Sequence, residues 1–126
     1  MVVAVAEESR GAEHARPFIE QAKSAYWQLI DTEHRLSDLY NLVNVPQAIW
    51  IDEQGRIVRP PETAGSTDHF RRMDLATRTL SPQDQAERLA ARQAYLDAIR
   101  AWVTTGAHAL PTDSVRANLP RVTPEI

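Results

Sequence analysis

The chain of 126 residues contains no cysteine. Disulfides, thiolate catalysis, dithiol exchange and cysteine-ligated zinc or iron–sulfur centres are therefore excluded within it. Lysine is almost absent as well, Lys23 being the only one. Positive charge comes from arginines spread along the chain, and the net charge of -3 leaves no electrostatic footprint for nucleic acid or an anionic membrane. No apolar run approaches the ~20 residues that span a bilayer. Met1 to Ala6 is apolar but short and lacks a basic segment before it, so it reads as a strand rather than a leader. A cytoplasmic location is expected. There is no HExxH or HxxxH spacing, no Gly-rich phosphate loop, no nucleophile elbow and no Ser-His-Asp pattern. No enzymatic activity, cofactor or metal is expected.

What is present is an ordinary globular composition, 43% hydrophobic and 25% charged, in a length that suits one domain. Val2 to Ala6 reads as a β-branched strand. Ala12 to Ala25 reads as a helix with Ala15, Phe18, Ile19, Ala22 and Ala25 on one face. Pro17 fits only a first turn, which predicts that the regular helix begins near Arg16. Tyr26 to Asp31 is a second strand. Asp31 or Thr32 is placed to cap a short helix from Glu33 to about Leu42, with Leu36, Leu39, Tyr40 and Val43 on its buried side.

Asn44-Val45-Pro46-Gln47 then leads into Ala48-Ile49-Trp50-Ile51, a continuous apolar run that suits a strand buried on both faces. A two-residue turn at Gln54-Gly55 and a short return strand, Arg56 to Val58, complete a hairpin. Pro60-Pro61 is expected to stop that strand. Residues 59–80 read as a long loop with at most one helical turn at His69 to Met73. Ser81-Pro82-Gln83-Asp84 is the clearest helix start, with a capping serine, proline at the first position and an acid in the first turn. The helix is predicted to run to about Thr105, with Leu89, Leu96, Ile99, Trp102 and Val103 as its stripe and Gly106 as its stop. Residues 107–126 carry three prolines and are expected to be irregular, docked through Leu110, Val115 and Leu119.

The order β-α-β-α-β-β-α predicts an α/β fold, a mixed sheet flanked by helices. At this point the hairpin can be placed. Asn44-Val45-Pro46 followed by Gln47 to Val58 resembles the cis-proline hairpin of the thioredoxin superfamily, and most closely its redoxin branch of TlpA-like oxidoreductases and peroxiredoxins. The resemblance covers roughly residues 2–60 and 81–106. It implies a truncated or rearranged thioredoxin-like domain over residues 1–106. The family's cysteine pair lies on a strand–helix unit just before the strand matched by Val2 to Ala6. Without that central strand, unpaired backbone would line a slot, and a homodimer that closes the slot or an open sheet edge is expected.

By the same resemblance Val45 would offer its backbone to a partner, beside Pro46 and Trp50. The plainer reading of Pro46 is a structural turn. The aromatics Tyr26, Trp27, Tyr40, Trp50 and Trp102 are more simply core than pocket. Asp31-Thr32-Glu33-His34 sets two carboxylates near an imidazole, but Asp31 is wanted for the cap. His14, His69 and His108 carry no further pattern, and Arg71-Arg72 reads as a solvated pair. The leading expectation is a non-catalytic thioredoxin-like protein acting as an oligomeric or interaction module. The alternative is the C-terminal piece of a redox enzyme whose cysteine segment lies upstream. A weaker one is a small-ligand binder using the vacated groove.

Overall fold

The computed structural model describes residues 1–121, as an α/β protein with two small sheets. The described chain forms two compact units, one from Met1–Val43 joined by the chain end from Pro120, the other from Asn44–Leu119.

In the first unit, β1 (Val3–Glu7) and β2 (Trp27–Asp31) pair in parallel, with Val3 opposite Trp27 and Glu7 opposite Asp31. Parallel neighbours need a crossover between them. Here it is α1 (Ala12–Ala22), which lies against β2 and ends at Lys23 in the left-handed region. Pro17 sits inside α1 rather than in its first turn, so the helix starts four residues before Arg16. The cost is one lost N–H donor, the one that would have reached the Glu13 carbonyl. Of the predicted apolar face only Ala15 is buried, and Phe18 is exposed.

The short helix α2 (Arg35–Tyr40) begins after His34, whose φ is 55°. The cap position is thus His34, with no side-chain cap bond, rather than Asp31 or Thr32; Asp31 reaches in from further back, its Oδ2 accepting from the Leu36 N–H at 2.7 Å. That backbone bond is the main reason its carboxyl titrates below the usual range. The predicted buried side of α2 is only partly buried. Leu36 and Tyr40 are half-buried, whereas Leu39 and Val43 are exposed; the helix stops at Asn41 in the left-handed region, so Val43 lies beyond it.

In the second unit, β3 (Ala48–Ile51) and β4 (Ile57–Glu62) form an antiparallel pair. The turn holds three residues rather than two. Asp52 N–H donates to the Arg56 carbonyl and Gly55 N–H to the Asp52 carbonyl. The Asp52 side chain braces it, accepting from the N–H groups of Gln54 and Arg56. Gly55, at φ 76°, supplies the left-handed step that a three-residue hairpin requires. Pro60 and Pro61 do not stop β4. Its ladder shifts register between Ala48 and Trp50, so Glu62 opposes Ala48 and Arg59 opposes Trp50. Both prolines fall in that irregular stretch, where no ladder donor is required of them.

After β4, the stretch from Thr63 holds a 3₁₀ turn, His69–Arg72, and a bridge between Asp74 and Thr79. Then α3 (Pro82–Thr105) starts and stops where the sequence predicts, between Ser81 and Gly106. Ser81 Oγ accepts from the Asp84 N–H at 3.1 Å and donates to Asp84 Oδ2 at 2.9 Å. Asp84 thus bonds the cap hydroxyl instead of reaching back to the cap N–H, as a longer glutamate would. Ser81→Ala is expected to lower stability by about 1 kcal/mol, seen as a lower urea midpoint by circular dichroism with no change in the folded spectrum.

Residues 107–121 are not irregular throughout. A helix, α4 (Thr112–Asn118), packs against β4 and buries Val115, while the Leu110 N–H donates to the Val58 carbonyl. Pro111 just before the helix ends nothing: proline suits a helix entry as well as a stop. Residues 122–126, with Pro124, lie outside the described residues.

Candidate functional site

Alternation along the paired strands β1 and β2 sends Val3, Val5, Trp27 and Leu29 to one face and Ala4, Ala6, Gln28 and Ile30 to the other. The second set is half-buried. Of the first, Val3, Trp27 and Leu29 are exposed, Trp27 by 66%. Tyr26 and Val2, beside them in sequence, are exposed too. Parallel sheets are ordinarily covered on both faces. This one has helix α1 against it, an apolar set in the open and, among the described residues, no third strand in its ladder. Among the described residues the first unit buries a single apolar side chain, Ala15.

The residues expected to meet a partner are placed as follows. The Val45–Pro46 peptide bond is cis. Val45 and Pro46 are exposed, and the Val45 N–H is taken up by the Asn44 side chain at 2.8 Å. Trp50 is not with them at the surface. It is 5% exposed, stacked on Trp102 at 4.9 Å and edge-on to Tyr95 at 5.9 Å. Its indole N–H donates to the Tyr95 hydroxyl at 2.9 Å. Arg59, held by Glu62 at 3.0 Å, lies over the Trp50 ring with its guanidinium carbon 5.6 Å from the centroid. Burial raises the titration of Tyr95 above the usual phenol range, against the lowering effect of the indole bond. Trp50 is thus the centre of the second unit's core, as expected of a core aromatic, whereas Tyr26 and Trp27, read in the same way from the sequence, are exposed.

The histidine grouping at Asp31 to His34 does not assemble. Asp31 accepts from the Leu36 N–H of α2, Glu33 pairs with Arg35, and His34 Nδ1 instead lies 2.7 Å from Glu7 Oε2. Glu7 Oε1 is buried with no hydrogen-bond partner. Among the described residues, one set of three histidine and carboxylate side chains brings ligand atoms together: His69, Asp84 and Glu87.

No protein-family model, no curated protein and no solved structure matches the chain.

Two features were not read from the sequence. Tyr95 belongs to the core with Trp102, and its position one heptad before Trp102 on α3, with Ile99 between, is a signal that points there. His69 had no such signal. Nothing in the spacing of a loop histidine and two acids on a helix 15 and 18 residues later brings them together.

Proposed function

We propose that the chain is a non-catalytic module of thioredoxin-like descent that assembles with a second copy of itself through the open face of β1 and β2. The single observation that carries the reading is the uncovered apolar set Val3, Trp27 and Leu29 on a parallel pair of strands. Val3, Trp27 and Leu29 share that face, and with Trp27 the largest contributor they together offer on the order of 300 Å². A patch of that size falls in the range of a monomer's largest, often functional, patch, and it would form the apolar centre of an interface to which each partner usually gives ~800 Å². A two-fold axis places the same patch on itself, so one patch serves both copies. The net charge of -3 opposes such self-association only weakly. The absence of cysteine leaves the redox chemistry of the resembled family without its nucleophile.

The test is sedimentation equilibrium. A dimer is expected at micromolar concentration. Trp27→Asp is expected to convert it to monomer while the far-ultraviolet circular dichroism is retained, since the ring is mostly exposed within one chain. A wild-type protein that stays monomeric at 100-fold higher concentration than a micromolar dimer needs would overturn the reading.

A further inference from the structure

We infer that His69, Asp84 and Glu87 form a binding site for a divalent transition-metal ion of the Zn²⁺ type. One ligand atom from each residue converges with the others, all within 4.8 Å of one another. His69 Nε2 lies 2.6 Å from Glu87 Oε2 and 3.9 Å from Asp84 Oδ1. A tetrahedral ion with bonds of about 2.0–2.2 Å sets its ligand atoms roughly 3.3 Å apart, a value between those two separations. Small side-chain adjustments suffice, with the ion taking the place of the direct His69–Glu87 contact.

What distinguishes this set from a surface cluster of acids is how the far atom of each ligand is held. His69 Nδ1 is 2.5 Å from Thr67 Oγ1, Asp84 Oδ2 accepts from the Ser81 hydroxyl at 2.9 Å, and Glu87 Oε1 accepts from the Gln83 amide at 3.1 Å. Each ligand is thus oriented from outside by a residue that is not itself a ligand, and its remaining atom is turned inward. Metal ligands are built in this way, the outer hydrogen bond fixing the tautomer of the imidazole and the rotation of each carboxylate. The elements that bring them together are rigid on one side: Asp84 and Glu87 are three apart on α3 and share a face, while the 3₁₀ turn carries His69 against them. His69 and Asp84 are 8% and 7% exposed, and Glu87 forms the rim.

The remaining side is covered by Arg72. Its Nη1 is 3.0 Å from Asp84 Oδ1 and its Nη2 is 3.9 Å from Glu87 Oε2. The side chain is more than half exposed, so it leaves to solvent without unfolding anything. A guanidinium and a metal ion therefore compete for the same two carboxylates. One imidazole with two carboxylates suits Zn²⁺ better than Mg²⁺, which prefers an all-oxygen octahedron.

Isothermal titration of the full chain with Zn²⁺ tests this. Wild-type protein is expected to bind one ion per chain in the presence of excess Mg²⁺. Arg72→Ala is expected to bind it at least tenfold more tightly. Glu87→Gln, at a half-exposed position that keeps the fold by circular dichroism, is expected to bind at least tenfold more weakly. His34→Gln, which removes the other histidine–carboxylate pair, is expected to leave binding unchanged. No Zn²⁺ binding by either the wild type or Arg72→Ala would overturn the inference. So would equal affinity of Glu87→Gln and wild type, or loss of the ion in His34→Gln, which would put it at another histidine.

Discussion

Trp50→Ala is expected to remove about 3–5 kcal/mol of stability, the range for truncating a buried aromatic to alanine. Few side chains are in a position to compensate. The described residues bury only four apolar side chains, Ala15, Trp50, Val58 and Val115, and Trp50 is by far the largest. Truncation deletes the stack on Trp102 and the edge contact with Tyr95, and it leaves the Tyr95 hydroxyl without its indole donor. Domains of this size are stable by only about 5–15 kcal/mol, so the variant stands close to unfolding at room temperature. Trp50→Phe separates the causes. It keeps an aromatic ring against Trp102 but not the N–H, and it is expected to lose less than half as much. Urea unfolding followed by circular dichroism measures both. A loss below 1 kcal/mol in Trp50→Ala would mean that the core of Asn44–Leu119 does not depend on this ring.

Gly65→Ala is expected to lose about 2–4 kcal/mol, the sum of a left-handed backbone penalty and overpacking. Gly65 has φ 75°, and a methyl group there would stand 2.7 Å from Tyr95 Cβ and 3.3 Å from the Ala91 carbonyl oxygen. Neither neighbour is the tip of a flexible chain, so the loop after β4 must move off α3. Gly55 provides the comparison. Its φ is 76° and nothing lies within 4 Å of an added Cβ. Gly55→Ala therefore carries the backbone penalty alone, about 1–2 kcal/mol. The difference between the two urea midpoints reads the close approach of residue 65 to α3. Equal losses would show that this approach is not tight in solution.

Local chemistry was legible to the extent that it was local. The start of α3 at Ser81-Pro82, its end at Gly106, the Asp31 side chain at the foot of α2 and the hairpin around Gly55 all follow from residues within one turn of each other. Burial was less legible. Leu39, Val43, Phe18, Leu89 and Val103 lie on apolar stripes yet are exposed, because a stripe states which face is available for packing and not whether anything packs there. The prolines misled in both directions. Pro60 and Pro61 ride in β4 because the ladder slips at that point, and Pro111 precedes a helix. Whether a proline breaks a strand depends on its neighbour's register, which the neighbour sets.

The sequence by itself determined the absence of thiol chemistry, the α/β class, the existence of most strands and helices up to Gly106, and both ends of α3. These depend on composition, on hydrophobic period and on capping, all properties of short stretches. Only the tertiary structure decided that the strands fall into two separate pairs, that Trp50 turns inward to Tyr95 and Trp102, and that Trp27 and Leu29 stay uncovered. It alone brought His69 to Asp84 and Glu87. The physical reason is common to all of them. Each is a meeting of groups from different elements, and its free energy depends on a separation in space that no local pattern encodes.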